Sequence, residues 1–341
     1  MKPIEELIPL LDKSKKISIT FHFNADADAL GSALGLSHYL RLKGYETFVV
    51  TPNEIPDFIL WMPGSEEVIP FDRNPTRVNE VLLQSDFLFC LDFNHLSRTK
   101  FLAPTLESFK GIKVMLDHHL LPDESFDYGY SNPKKSSTCE MVFDFINQSG
   151  DNQLINLDIA KCLYAGLMTD TGSFKFPSTT ASCHAMVADL MNKGLETAPI
   201  HQAIFDTYEE NRLRFLGYVL AEKMIILPEL HAAIIAISKE ELNRFQINTG
   251  DTEGIVNYPL SIKNIIFSTF ISQRENENRM SFRSKGNLNV NEFARTYFNG
   301  GGHANASGGK SESALSETIE QVKSALLENK NQIELCYQEL A

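Results

Sequence analysis

Short apolar runs alternate with amphipathic, helix-like stretches along the first half of the chain. The apolar runs are typical of buried strands and cover residues 16–21, 47–50, 86–91 and 112–116. The stretches with helical spacing cover residues 30–42, 137–147 and 157–168. Because strands that alternate with helices form parallel sheets, this order predicts an α/β fold, with helices on both faces of a parallel sheet.

The pattern changes after about residue 180. Residues 180–220 are mostly helical in pattern, and Pro199 is expected to break that stretch. β-Rich runs follow at 231–237, 265–271 and 280–283, before one long amphipathic helix at 314–334. We therefore expect three parts, which are a first domain at 1–195, a helical linker at 196–215 and a smaller mixed α/β domain at 216–341.

Length and charge limit the classes of function. The chain has 341 residues, which is enough for two domains with sizeable cores. Its 44 acidic and 31 basic side chains give a formal net charge of −13 at pH 7. This excess argues against a protein that coats long nucleic acids through a broad basic face. It leaves room for a small anionic substrate that is held at one local site.

Cysteine usage and the missing apolar segments indicate the compartment. The five cysteines are scattered, odd in number and never spaced as CxxC, which favours buried free thiols over disulfides or a zinc site. No window approaches the roughly 18 continuous apolar residues of a membrane span. The first residues lack the apolar core and cleavage site of a signal peptide. We therefore expect a cytoplasmic protein.

The strongest local signal for chemistry follows the first predicted strand. His22, Asp26 and Asp28 fall within seven residues, where the strand ends and a helix begins. Carboxylate oxygen and imidazole nitrogen together suit Mn²⁺ or a similar divalent ion. Alone, the segment fits equally well a structural explanation, in which Asp28 caps the helix and His22 lies in the core.

Three further segments bring acids and histidines to similar positions. Asp92 follows the third predicted strand, Asp117-His118-His119 follows the fourth, and Asp170 lies after a helix. Separately, each segment fits ordinary turn chemistry. The carboxyl ends of parallel strands meet at one edge of a sheet, and like charges gathered there repel unless cations are bound. The joint pattern therefore favours a metal cluster.

The second half contributes candidate phosphate-binding residues. The run Gly300-Gly301-Gly302 lets backbone N–H groups approach an anion closely, and His303 at its end can donate to a phosphate. Arg283 ends a predicted strand with a guanidinium, the preferred bidentate partner of phosphate. By itself, the glycine run also fits a flexible surface turn, and Arg283 fits a surface salt bridge.

Taken together and in order, these motifs resemble the DHH/DHHA1 phosphoesterase family. They are His22 with Asp26 and Asp28, Asp92, Asp117-His118-His119, Asp170 and Gly300-Gly301-Gly302-His303. The DHH triplet alone is weak, but five motifs in this order, across residues 17 to 310, are highly specific. The resemblance implies an N-terminal parallel-sheet DHH domain and a smaller C-terminal mixed α/β DHHA1 domain. The two-domain length most resembles the nanoRNase/pAp-phosphatase branch, the bifunctional oligoribonuclease type.

The resemblance also implies two Mn²⁺ ions, with Mg²⁺ or Co²⁺ as alternatives, and a role for each residue. One ion is expected to be bound by His22, Asp26 and Asp92. The second ion is expected to be bound by Asp28, Asp92, His118 and Asp170. Catalytic roles are expected for Asp117, which would orient a histidine, for His119, which would face the substrate phosphate, and for Arg283 and His303. Substrate contacts are expected from Arg283, Ser284, Gly301, Gly302 and His303.

The family resemblance implies metal-assisted phosphoester hydrolysis. The expected substrates are short oligoribonucleotides, cut to nucleoside monophosphates, and pAp (adenosine 3′,5′-bisphosphate), dephosphorylated to AMP. Neither long nucleic acid nor a membrane is an expected partner, and a homodimer stays open. The alternatives are a cyclic- or linear-dinucleotide phosphodiesterase, a RecJ-like single-strand exonuclease, and a nucleotide-binding regulatory protein. RecJ-like enzymes carry additional domains, and a regulatory protein is disfavoured because every expected ligand is present. Ala25 and Ser307 depart from the family pattern, which often has proline and alanine there, without removing a ligand.

Overall fold

The chain divides into two units, Met1–Thr207 and Tyr208–Ala341. The computed structural model describes residues 1–11, 15–207, 209–248 and 250–340. The division between the units lies inside segment 196–215, for which the sequence predicts a linker. The domain bounds themselves stay a prediction.

A parallel sheet forms the centre of the first unit. Its strands are β1 (Lys2–Pro3), β2 (Lys16–Phe21), β3 (Glu46–Thr51), β4 (Ile69–Pro70), β5 (Phe87–Leu91), β6 (Ile112–Asp117) and β7 (Tyr128–Ser131). Within the described residues, these seven strands pair in parallel in the order β1-β7-β6-β5-β2-β3-β4. The predicted parallel sheet is confirmed, and β6, β5 and β2 are neighbours at its centre.

Helices cover both faces of this sheet, as predicted. They are α1 (Ala27–Leu42), α2 (Pro75–Gln84), α3 (Ala103–Glu107), α4 (Thr138–Gln148), α5 (Leu157–Asp170), α6 (Ala181–Asn192) and α7 (Thr197–Phe205). Side chains alternate along β5, so Phe89 packs into the core formed with α1, α4 and α5, while Leu88 and Cys90 pack into the core formed with α2 and α3. Because the central strands β2, β5 and β6 are buried on both faces, they are largely apolar in sequence.

Pro199 does not break the helical stretch, so that prediction is wrong. Pro199 lies in the first turn of α7, where a backbone N–H has no partner within the helix and its absence costs little. The chain turns earlier, between α6 and α7. Gly194 has a φ of +95° there, a left-handed conformation that glycine adopts without strain.

The second unit is built on a mixed sheet, as predicted. Its strands are β8 (Met224–Leu227), β9 (Ala232–Ile237), β10 (Phe267–Gln273), β11 (Asn278–Ser284), β12 (Gly301–His303) and β13 (Ala306–Ser311). In the described part of this unit, the six strands follow the order β12-β13-β11-β10-β9-β8. Strands β9 and β10 are parallel, and the other pairs are antiparallel. The helices are α8 (Glu210–Tyr218), α9 (Lys239–Arg244), α10 (Val290–Tyr297), α11 (Leu315–Glu328) and α12 (Lys330–Gln338).

The single long helix predicted at 314–334 is wrong, because the structure has two helices, α11 and α12, divided at Asn329. The Asn329 Nδ2 donates to the Ala325 carbonyl at 2.7 Å and to the Tyr297 hydroxyl at 3.0 Å. An asparagine side chain that binds nearby backbone competes with helix propagation. The apolar periodicity continues across the break, and it therefore does not reveal the end of α11.

All five cysteines are free and buried, which confirms the prediction from their spacing. No helix in the described ranges combines the length and the apolar character that a bilayer-spanning segment requires.

Candidate metal centre

Three neighbouring strands of the first sheet deliver the predicted residues to the same edge. Phe21 of β2 pairs with Leu91 of β5, and Leu91 pairs with Leu116 of β6. The residues that follow these pairs are His22, Asp92 and Asp117, so the polar side chains emerge at the same level. This is the carboxyl edge of a parallel sheet, where α/β proteins place their ligands.

His22, Asp26 and Asp92 form one group. The His22 Nε2 lies 3.5 Å from Asp26 Oδ2 and 3.3 Å from Asp92 Oδ2. The other oxygen of Asp26 accepts from the N–H groups of Asp28 and Ala29 at 3.1 and 2.9 Å, which caps α1. The structural explanation that made Asp28 the cap is therefore wrong, because Asp26 is the cap and Asp28 is a buried residue of the first turn.

His118 is the centre of a second group. Its Nε2 lies 3.4 Å from Asp92 Oδ1, 3.8 Å from Asp28 Oδ2 and 3.3 Å from Asp170 Oδ2. Its Nδ1 donates to the Lys135 carbonyl at 3.2 Å, so Nε2 is the nitrogen that faces the carboxylates. Asp92 contacts both histidines, one with each oxygen, and it therefore links the two groups.

Asp117 and His119 lie beside these groups. The His119 Nδ1 donates to Asp117 Oδ1 at 2.7 Å, and it lies 3.7 Å from Asp92 Oδ1. Asp117 is completely buried at the end of β6, which fixes the carboxylate. A carboxylate that accepts from Nδ1 sets the tautomer and orientation of the ring. Asp117 therefore orients His119 rather than His118.

The N-terminus of α4 supplies partners that sequence reasoning missed. The backbone N–H groups of Thr138 and Cys139 donate to the two oxygens of Asp28 at 2.6 and 2.8 Å. The Thr138 hydroxyl donates to Asp92 Oδ1 at 3.0 Å. Donors at the first turn of a helix stabilise negative charge, so α4 holds two buried carboxylates of the cluster. Ser137 signals a helix start in sequence, but nothing there indicates which carboxylates that helix meets.

The cluster concentrates more negative charge than its histidines offset. Burial, followed by the charge of Asp92, raises the pKa of Asp28 to about 7. Burial and the charge of Asp28 raise the pKa of Asp170 well above its ordinary value. Burial lowers the pKa of His22, but Asp26 and Asp92 more than reverse this effect and raise it to about 10. A divalent cation relieves such crowding, and the oxygen and imidazole donors present fit Mn²⁺ or Mg²⁺.

In the second unit, two of the predicted phosphate contacts flank the same strand. Arg283 of β11 and His303 of β12 both pair with Ala306 of β13, one on each side. Directly opposite residues of antiparallel strands extend to the same face of a sheet, so the two side chains share a face. The Arg283 Nη1 donates to the Phe282 carbonyl at 2.9 Å.

The glycine run is part of a β-hairpin rather than a flexible turn. A Cβ atom on Gly300 would lie 1.9 Å from the Gly308 carbonyl oxygen, so only glycine fits there. Gly302 has a φ of +148°, which also favours glycine. The Ser307 hydroxyl donates to the His303 carbonyl at 2.8 Å and so supports the strand that carries the histidine.

Ser284 is buried and makes its hydrogen bonds within the second unit. Its hydroxyl donates to the Leu288 carbonyl at 2.5 Å and accepts from Asn305 Nδ2 at 2.9 Å. The same Asn305 amide donates to the Gly286 carbonyl at 2.9 Å. Asn305 therefore joins the end of β11 to the turn between β12 and β13, a role that its sequence position did not indicate.

Comparisons with known proteins cover both units. Residues 16–167 match the N-terminal domain of the DHH family, and residues 229–331 match the DHHA1 domain. The crystal structure of an exopolyphosphatase-related protein from Bacteroides fragilis is 38% identical, with a TM-score of 0.90 and 94% of each chain covered. The bifunctional oligoribonuclease and PAP phosphatase NrnA of Bacillus subtilis is 27% identical over 89% of this chain and 91% of that protein. The cyclic-di-AMP phosphodiesterase GdpP of Bacillus subtilis is 25% identical over 93% of this chain, which spans 48% of that protein.

Proposed function

Because the chain belongs to the DHH/DHHA1 phosphoesterase family, we propose that it hydrolyses short oligoribonucleotides to nucleoside monophosphates and removes the 3′-phosphate from pAp. Family membership gives the reaction class, a metal-dependent phosphoesterase, and the choice of substrates is our proposal. We place this activity in a reducing cytoplasm, because five buried thiols stay free.

The match in length carries the proposal. The chain and the Bacillus subtilis oligoribonuclease and PAP phosphatase cover each other to about nine tenths. The chain spans only about half of the cyclic-di-AMP phosphodiesterase. This nearly complete mutual coverage therefore supports the oligoribonuclease and pAp phosphatase activities more than the cyclic-dinucleotide activity.

We assign two ions to the centre in the first unit. His22, Asp26 and Asp92 would hold one ion, and Asp28, Asp92, His118 and Asp170 would hold the other. The short distances among these side chains support this assignment, as does the position of Asp92 between the two histidines. When bound, Mn²⁺ ions supply Lewis acidity and lower the pKa of water.

The remaining groups of the centre position side chains and protons. Asp117 accepts the Nδ1–H of His119, so Nε2 is the nitrogen that would carry a second proton toward a substrate phosphate or the leaving oxygen. The Lys135 carbonyl fixes His118, and Thr138 fixes Asp92. These contacts preorganise the donors, so little reorganisation is needed when ions and substrate bind.

The second unit supplies proposed phosphate contacts. Arg283 and His303 share one face of the sheet on either side of Ala306, which suits two donors to neighbouring phosphoryl oxygens. Gly301 and Gly302 offer backbone N–H groups without side chains that would block an anion. The Ser284 hydroxyl already donates to Leu288, and its proposed role is therefore to hold the end of β11 beside Arg283.

A cyclic-dinucleotide phosphodiesterase is the second candidate. It is favoured by the alignment of 93% of this chain with the cyclic-di-AMP phosphodiesterase. Both candidates need a metal centre and a nucleotide site, so substrate preference is what separates them.

A substrate panel with Mn²⁺ tests the proposal. We expect the highest kcat/KM for pAp and for RNA of two to five nucleotides, with much lower values for longer RNA. Preference for cyclic dinucleotides would support the second candidate. Preference for pyrophosphate, polyphosphate or long single strands would contradict both.

The shared ligand offers a sharper test of the metal assignment. Asp92→Asn keeps the shape of the side chain but removes the charge that both proposed ions need, so we expect turnover to fall at least about 1,000-fold. Binding of Mn²⁺ should fall as well, as measured by calorimetry. The matched control is Asp57→Asn, which changes an exposed aspartate of the same unit and should retain activity. Full turnover in Asp92→Asn would refute the assignment.

A further inference from the structure

The segment Leu96–Leu102 lies at the edge of the sheet that carries the metal centre. It begins four residues after Asp92 and forms a 3₁₀ helix with a kink at Lys100, where φ is +54°. It carries two cations, Arg98 and Lys100, and an exposed aromatic ring, Phe101. Cations next to an aromatic ring are the combination that binds nucleotides, because the cations meet phosphate and the ring meets a base.

Backbone contacts hold Arg98 beside the metal centre. Its Nη1 donates to the Asp92 carbonyl at 3.5 Å, and its own carbonyl accepts from the Phe23 N–H at 2.9 Å. Across the described ranges, no carboxylate lies within 4.0 Å of the charged groups of Arg98 or Lys100, in a chain with 44 acidic residues. The charge of the Arg98 guanidinium is therefore available to an anion.

Phe101 is exposed and yet held in place. The residue is 55% accessible to solvent. Its ring meets the ring of Phe23 edge to face, with centroids 5.4 Å apart and planes at 89°. Phe23 directly follows His22, so this contact ties the Phe101 ring to the strand end that carries a proposed metal ligand. An edge-to-face contact leaves ring surface for a further planar partner.

We propose that Phe101 stacks on a nucleobase of the substrate and that Arg98 binds a phosphate of the same nucleotide. The inference rests on the proposed function and deepens it, because it names the feature that selects nucleotides. Polyphosphate, in contrast, has no planar apolar group that could stack on an exposed aromatic ring. A nucleotide has both a base for Phe101 and an anion for Arg98.

Binding of AMP and of ribose 5-phosphate to the Mn²⁺-loaded protein, measured by calorimetry, tests the base contact. We expect Phe101→Ala to lower the ratio of the two affinities about tenfold, within the range known for stacking of one base on an aromatic side chain. Phe101→Tyr keeps the ring and should restore most of that ratio. The matched control is Phe205→Ala, which removes another exposed ring, one that packs against His201. This control should leave the ratio unchanged.

A second variant separates phosphate binding from stacking. Arg98→Gln should weaken the binding of AMP and of ribose 5-phosphate by a similar factor, about tenfold, because both ligands carry the phosphate. If Phe101→Ala weakens both ligands equally, or neither, the proposed base contact is wrong. Because these experiments measure binding and not hydrolysis, their outcome does not depend on whether the proposed function is correct. If the protein cleaves only polyphosphate but Phe101→Ala still lowers the affinity ratio, the proposed function is wrong and the base contact stands. If the protein cleaves pAp but Phe101→Ala leaves the ratio unchanged, the base contact is wrong and the proposed function stands.

Discussion

Replacing Thr138 by valine tests how far α4 tunes the metal centre. The change keeps the side-chain volume but removes the hydroxyl that donates to Asp92 Oδ1 at 3.0 Å, a hydrogen bond between two buried residues. A hydrogen bond to a charged group contributes about 1.5–3 kcal/mol. If the hydroxyl also donates to Asp92 in the ion-bound state, part of the effect of losing the hydrogen bond cancels in the Mn²⁺ affinity. We therefore expect Mn²⁺ to bind about tenfold more weakly, at the lower end of the range for such outer contacts.

Titration of Mn²⁺ into chelator-treated protein by calorimetry measures this effect. Thr138→Ser keeps the hydroxyl and should bind Mn²⁺ within about threefold of the unchanged protein. Thr318→Val is the matched control, because Thr318 is a buried threonine of the second unit whose hydroxyl bonds to Asn278 and Ser311. Equal Mn²⁺ affinity in Thr138→Val and in the unchanged protein would show that the hydroxyl does not position Asp92. Equal weakening in both threonine-to-valine variants would show a general loss of stability.

Two other variants probe the second unit. Gly300→Ala places a Cβ atom 1.9 Å from the Gly308 oxygen, so the hairpin must shift. Because the shift of the hairpin moves His303, turnover should fall at least about tenfold. The affinity for Mn²⁺, measured on the same sample, should be unchanged. Burial raises the pKa of Glu241, but Lys223 and Tyr218 lower it to about 2, below the 4.5 of an unpaired carboxyl. The stability this gives is complete above pH 4.5 and is lost as the pH falls from 4.5 to 2. Glu241→Gln should remove the part of that loss that falls between pH 6 and pH 3, about 1 kcal/mol after solvent screening, in denaturant titrations at these two pH values. If the free energy of unfolding of Glu241→Gln falls with pH as steeply as that of the unchanged protein, the role assigned to Glu241 is wrong.

The sequence predicts the features of the fold and the site that depend on local patterns. Apolar runs identify β2, β5 and β6, because a strand that is buried on both faces needs apolar side chains on both faces. Once those strands are parallel, their ends meet, and the convergence of His22, Asp92 and His118 follows from topology. Elements whose ends depend on single contacts are less predictable. At Asn329, where α11 ends, the side chain donates to the nearby Ala325 carbonyl and also to the Tyr297 hydroxyl, 32 residues away.

The contacts around the predicted ligands escape sequence reasoning for the same reason. Thr138 and Cys139 meet Asp28 across 110 and 111 residues, and a threonine next to a helix start looks like an ordinary capping sequence. Arg98 and Phe101 belong to a short segment without periodicity, so no pattern marks them. Their position beside the metal centre follows from the contact of Arg98 with Asp92 and of Phe101 with Phe23, and only the folded structure shows these contacts.

The distribution of charge offers a physical basis for the proposed preference for short substrates. Two divalent ions would offset only four of the 13 excess negative charges, so the protein as a whole still repels polyanions. That repulsion acts over about 10 Å at ordinary ionic strength, and it grows with the number of phosphates that lie outside the site. The proposed attractive groups of the first unit act instead through direct contact, by way of the ions and of Arg98 beside Asp92. Each nucleotide beyond those contacts adds repulsion without adding a cation, which penalises long RNA even where no steric barrier stops it.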